Sequence, residues 1–130
     1  MSDKCTILLV DDKVLILDIC KQILEMNGYR VLIASTPSEA MQTAQKYDGE
    51  IDLLLTDVMM PGMNGVELSR RLSTLRKNMR TLFMSGYSAS LLADEGVDFD
   101  VRYLIQKPFT MEDLLKRVTG ILKNTGMKGA

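Results

Sequence analysis

Short apolar runs alternate along the chain with longer stretches in which apolar residues recur every three or four positions. Residues 6–10, Thr-Ile-Leu-Leu-Val, have no polar alternate face, which predicts a strand covered on both sides. Residues 13–26 set Ile16, Ile19, Cys20, Ile23 and Met26 on one helical stripe, and Asn27-Gly28 supplies the left-handed stop. The aromatic and β-branched run 29–34 predicts a second strand. Thr36-Pro37-Ser38-Glu39 then starts a helix with a hydroxyl cap, a proline in the first turn and an acid at the positive dipole end. That helix turns Ala40, Met41, Ala44 and Tyr47 inward and stops near Asp48-Gly49. A third strand is expected over 51–56 and a turn-rich loop through Pro61, Gly62, Asn64 and Gly65. A third helix follows over 66–75, a strand over 81–84 and a short helix over 89–93. A fifth strand over 101–105 leads to a last helix over 111–123, capped by Thr110.

Five apolar strands alternating with helices predict right-handed βαβ units, and hence a three-layer, doubly wound α/β fold around a five-stranded parallel sheet. With 130 residues, residues 1–130 are expected to form a single domain, its core spanning about 5–123 and a short tail 124–130. In an open sheet of this kind ligands gather beyond the carboxyl ends of the strands.

Composition narrows the chemistry. The chain has no histidine, which removes Ser-His-Asp and Cys-His catalysis, His-based metal sites and phosphohistidine. A net charge of −1 offers no positive field to gather nucleic acid. No apolar run approaches the roughly 20 residues of a membrane span, and the N-terminus lacks a secretory apolar core. Cys5 and Cys20 form no CxxC, so both read as buried thiols of a reduced, cytoplasmic protein.

The predicted strand ends read Asp11-Asp12, Asp57, Ser85-Gly86 and Lys107-Pro108. Any one of these is ordinary turn chemistry, but together they fall on the edge where the topology expects a site. Three carboxylates on one edge repel and require a proton or a cation. All-oxygen ligands favour a hard ion, Mg²⁺ or Mn²⁺, which leaves positions open for phosphoryl oxygens. Lys107 adds a compact positive charge and Ser85 a donor, a set suited to phosphoryl transfer onto a carboxylate.

These residues make the chain resemble the receiver domains of two-component response regulators, which have a flavodoxin-like fold. The resemblance rests on Leu-Leu-Val-Asp11-Asp12, on Asp57-Val-Met-Met-Pro61-Gly62-Met-Asn64-Gly65, on Ser85-Gly86 after an apolar strand, and on Lys107-Pro108-Phe109. It implies that Asp57 is the phosphoacceptor, charged by a sensor histidine kinase, a histidine phosphotransfer domain or a small donor such as acetyl phosphate. It implies Mg²⁺ bound by Asp12, Asp57 and the backbone carbonyl of Met59, with Asp11 acting largely through water. Lys107 would pair with Asp57 across a cis bond to Pro108, and Ser85 would move onto the phosphoryl group as the switch.

Two positions depart from the pattern. Leu104 stands where the family usually has an aromatic switch residue, and Tyr103, one place earlier, belongs on the other strand face. Met59 and Tyr87, which by the resemblance flank the route of an attacking water, carry neither acid nor amide, so slow self-dephosphorylation is expected.

Elsewhere, Arg70, Arg71, Arg76, Lys77 and Arg80 read as a solvated basic face, and Asp94, Glu95, Asp98 and Asp100 as its acidic counterpart. The ten methionines are expected to fill core gaps. Asp11-Asp12 would repel a flavin phosphate, and Met59 stands where a haloacid dehalogenase-type phosphatase wants its second aspartate. Turnover of a free substrate is therefore not expected, nor direct contact with nucleic acid or membrane. The competing reading is a phosphorylation-independent interaction module on the same fold. Only seven residues follow Lys123, so the chain is either a stand-alone regulator, monomeric or weakly dimeric, or a receiver cut from a longer protein such as a hybrid kinase. The run Gln106-Lys107-Pro108-Phe109-Thr110 resembles kinase-borne receivers. The output partner is not written in these residues.

Overall fold

The computed structural model describes residues 4–97 and 100–123. Five parallel strands, β1 (Thr6–Val10), β2 (Arg30–Ala34), β3 (Leu53–Asp57), β4 (Arg80–Ser85) and β5 (Leu104–Gln106), form one sheet in the order β2-β1-β3-β4-β5. The connecting helices are α1 (Val14–Met26), α2 (Pro37–Lys46), α3 (Gly65–Leu75), α4 (Ala89–Asp94) and α5 (Met111–Lys123). β1 and β3 are buried along their whole length because helices cover both of their faces, leaving no wet side. The expected doubly wound α/β architecture is therefore present.

Alternate residues of each strand feed two layers. Ile7, Leu9, Leu53, Leu55, Leu82, Met84 and Ile105 pack with Leu17, Cys20 and Leu24 of α1 and Leu114, Val118 and Leu122 of α5. On the other face Leu8, Val10 and Leu54 meet Ala40 and Ala44 of α2 and Leu68 and Leu72 of α3. A smaller cluster joins Val58, Phe83 and Leu92 of α4, with Leu104 against it. Both cysteines are buried, as expected. Among the described residues no helix is long and apolar enough to cross a membrane.

Several local expectations need correction. The α1 stripe is rotated: Leu17, Cys20 and Leu24 face the core, whereas Ile19 and Met26 are exposed. The helix is apolar on more than one face, so periodicity alone does not fix which stripe turns inward. β5 is shorter than the run 101–105, since a 3₁₀ turn, Val101–Tyr103, precedes it. Tyr103 therefore lies outside the strand, exposed, with the Arg102 guanidinium over its ring. Leu104 is half-buried against the α4 cluster. Arg76 leaves the solvated basic face altogether: its guanidinium donates to the carbonyls of Ala44, Tyr47 and Gly49, tying α3 to the end of α2. Met60, Met79 and Met84 fill the core, but Met26 lies in solvent. Residues 124–130 and Asp98 of the acidic stretch lie outside the described residues.

Candidate functional site

With β1 between β2 and β3, connections leave the sheet in opposite directions on either side of β1, opening a crevice at the carboxyl ends of β1 and β3. Asp11 follows β1 directly, and its N–H donates to the Ala34 carbonyl at the end of β2. Asp57 is the last residue of β3, in register with Met84. Ser85 ends β4 one residue further on, and its carbonyl accepts the Lys107 N–H at 2.7 Å. The sheet ladder thus delivers all four side chains to one edge. The Lys107–Pro108 bond is cis, as the resemblance implied.

Carboxylate oxygens of Asp11, Asp12 and Asp57 lie within 4.8 Å of one another. Asp11 is fully buried and Asp57 nearly so, whereas Asp12 is open to solvent. One ammonium, that of Lys107, serves the two buried members of the trio. Lys107 Nζ donates to Asp11 Oδ2 at 2.9 Å and stands 3.5 Å from Asp57 Oδ2. The lysine therefore leans on Asp11 more closely than on Asp57, its expected partner. Asp11 Oδ1 accepts the Lys13 N–H at 2.8 Å, so both of its oxygens already have donors. Asp12 makes only a loose 3.8 Å approach to Lys13 Nζ.

Burial pushes the Asp57 carboxyl above its ordinary value of 3.8; Lys107 opposes the rise, while Asp11 and Asp12 add to it. Burial also pulls Lys107 down, but its hydrogen bond to Asp11 and the charges of Asp57 and Asp11 outweigh that, and the ammonium is held more firmly than usual. Below it the Cys20 thiol is pushed up to about 11, first by burial and then by Asp11, against the pull of Lys107. Three carboxylates with only Lys107 in close contact and Lys13 loosely beside exposed Asp12 leave the site net negative when all are ionised, which suits a hard cation on an all-oxygen site.

Ser85 is fully buried, and its Oγ accepts the Tyr87 N–H at 2.8 Å, which leaves the hydroxyl proton to donate. Met59 sits two residues past Asp57 with its side chain against the Val58–Phe83–Leu92 cluster. Two further residues of this edge carry no assigned role in the sequence reading. Thr56 is buried and donates its hydroxyl to the Asp57 carbonyl at 3.0 Å. Gly65 opens α3 so close to β3 that a Cβ on it would meet the Asp57 carbonyl oxygen at 2.2 Å. The sequence signal was the Asn64-Gly65 pair, which looked like loop punctuation but marks a close backbone approach.

The family model for the response regulator receiver domain matches residues 7–119. The chain is 33% identical over 121 residues to the transcriptional regulatory protein CpxR of Escherichia coli K12, covering 92% of this chain and 50% of that protein. It is 30% identical to the sensor kinase CckA of Brucella abortus, covering 95% of this chain and 13% of the kinase. A CheY-like receiver domain protein from Methanospirillum hungatei JF-1 superposes with a TM-score of 0.79 at 33% identity, covering 95% of this chain and 98% of that one. The chain spans about half or less of the length of the curated relatives it matches. With strand order, acidic crevice and family model in agreement, the chain belongs to the response regulator receiver domains, the phosphoacceptor modules of two-component signalling.

Proposed function

We propose that Asp57 is the residue that takes the phosphoryl group. The observation that carries this reading is the meeting of three carboxylates and one lysine at the crevice where the strand order opens the sheet. An Asp57 carboxylate oxygen attacks phosphorus, the bond from phosphorus to the donor's histidine nitrogen or acetyl oxygen breaks, and an acyl phosphate remains on Asp57. Lys107 needs only to shift from Asp11 toward Asp57 to meet the new phosphoryl oxygens, and Ser85 turns its free proton to them. The change from −1 toward −2 at Asp57 strengthens its pull on both, which is the physical basis of a switch.

The donor set fits Mg²⁺ or Mn²⁺, with Asp12 and Asp57 as the carboxylates that would hold it, the Met59 carbonyl joining them by the family resemblance, and Asp11 acting through water because its own oxygens are engaged. Such an ion, when bound, neutralises the carboxylates and screens the incoming phosphoryl charge.

Receiver domains work with histidine kinases or phosphotransfer domains, and we read the donor here as one of these, since the chain has no histidine of its own. The likeness to the CckA kinase supports a hybrid-kinase origin, and the likeness to CpxR supports a separate regulator. Residues 1–130 serve as one receiver in the cytoplasm, monomeric or weakly dimeric, acting on itself once per phosphoryl group rather than turning over a free substrate. Met59 and Tyr87 offer no group to orient an attacking water, so the acyl phosphate is expected to be long-lived; a half-life of seconds in radiolabel decay would contradict that.

The test is intact-mass measurement after acetyl phosphate and Mg²⁺. The wild-type chain gains one phosphoryl mass and Asp57→Asn or Asp57→Ala gains none. Unchanged uptake in either variant rejects the assignment. Failure of the wild-type chain to bind beryllofluoride with Mg²⁺ favours the phosphorylation-independent module instead.

A further inference from the structure

The Asp57 carboxylate works only if its backbone is held still, because small errors in the position of a nucleophile cost rate steeply. Asp57 ends β3, and the ladder that positions a strand interior stops there. Beyond it the chain turns into an irregular loop before α3, so something else must hold the last peptides.

Three contacts supply that hold. The Val58 N–H donates to the Met84 carbonyl at 2.9 Å, extending the β3–β4 pairing by one bond. The Val58 carbonyl accepts the Gly65 N–H at 2.7 Å, which ties the first residue of α3 to the residue after Asp57. The Asp57 carbonyl accepts the buried Thr56 hydroxyl at 3.0 Å. These peptides are therefore gripped between β4 on one side and the start of α3 on the other.

The grip depends on close packing. The Gly65 α-carbon lies over the Asp57 peptide at a distance that leaves no room for a side chain: a Cβ would fall 2.2 Å from the carbonyl oxygen and 3.1 Å from both the carbonyl carbon and the Thr56 methyl. Two of the crowding atoms are backbone, which cannot rotate away. Thr56 is fully buried in the same spot, so its hydroxyl has no water to compete with its bond to Asp57.

We propose that Thr56 and Gly65 are positioning residues for phosphoryl transfer: the hydroxyl and the missing side chain together fix the Asp57 peptide, and through it the aim of the carboxylate. The proposal rests on the reading of Asp57 as the acceptor. Neither residue touches the phosphoryl group. Their role is distinct from general stability because it bears on the rate of attack and not on capture of the donor.

The deciding experiment compares Thr56→Val, which keeps the shape and loses the hydroxyl, with Thr56→Ser, which keeps the hydroxyl and loses the methyl. Phosphoryl uptake by the full chain is followed by intact mass over a range of acetyl phosphate concentrations with Mg²⁺, and melting is measured on the same samples. Thr56→Val is expected to lower the maximal rate about tenfold at an unchanged half-saturating donor concentration. Thr56→Ser is expected to restore most of the rate, and Gly65→Ala to lower it further. A Thr56→Val rate within about twofold of wild type, or a serine variant as slow as the valine one, overturns the proposal while leaving the acceptor assignment standing. Uptake that persists in Asp57→Asn overturns both. The threonine pair decides the matter even if Gly65→Ala does not fold.

Discussion

The two edges of the sheet are built on opposite terms. At the amino edge polar groups meet partners of matching hydrogen-bond character. Asp52 accepts the Thr6 N–H at 2.8 Å and its own N–H donates to the Thr6 carbonyl, while Arg76 spreads one guanidinium over three carbonyls at the end of α2 and its loop. At the carboxyl edge three carboxylates cluster, two of them share one lysine, and the more deeply buried, Asp11, takes its closer bond. One edge converts polar groups into stability. The other keeps a charge imbalance that stability alone would not select, because the imbalance is what binds a cation and a phosphoryl group.

The sharpest break in that contrast is removal of the shared lysine. Lys107→Ala leaves Asp11 buried without its cation and is expected to cost about 3 kcal/mol in metal-free buffer, since breaking a buried pair strands the remaining charge. Excess Mg²⁺ should raise the melting temperature of this variant more than that of wild type. Equal gains would mean that the lysine and the cation do not compete for the same negative charge.

Arg76→Ala tests the amino edge. Loss of its bonds to three carbonyls is expected to cost about 2 kcal/mol by urea unfolding, with phosphoryl uptake per folded molecule unchanged. A fall in the uptake rate would show that the two edges are mechanically coupled.

Asp57→Asn should act in the other direction. Burial raises the Asp57 pKa, so the fold binds this proton more tightly than the unfolded chain does. Its contribution to stability is fully present below the ordinary value of 3.8 and is lost as pH rises through the higher folded value. At neutral pH the ionised Asp57 therefore weighs against folding. The asparagine variant should melt a few degrees higher without metal, and the difference should shrink on acidification through that window. A lower melting temperature at neutral pH would show that Lys107 compensates the charge fully.

The smallest effect concerns Cys20, whose thiol beneath the site is 1% exposed and pushed up to about 11. Iodoacetamide at neutral pH should leave it unmodified in the native chain and label it once urea is added. Native labelling would reveal opening of α1 away from β1 and α5.

The alternation of apolar strands with helices and the five strand-end residues were legible in the sequence. Strand ends can be read because a fully buried parallel strand is apolar until it leaves the core, so Val10-Asp11 and Thr56-Asp57 announce their own boundaries. The inward face of α1 was not legible, because Ile19 and Met26 fit a helical stripe as well as Leu17 and Leu24 do. The start of β5 was hidden for a related reason: Val101 to Tyr103 suits a strand by composition but closes a 3₁₀ turn.

The sequence by itself determined which groups reach the carboxyl edge, because the order of strands and the period of their side chains are local properties that topology rules turn into a place. Only the tertiary structure decided how those groups divide the work: that Lys107 leans on Asp11, that Arg76 clamps α2 instead of facing solvent, and that Thr56 and Gly65 grip the Asp57 peptide. Each of those depends on distances of a few ångströms between segments far apart in the chain. Hydrophobic periodicity carries no record of such distances, because they are set when the layers pack.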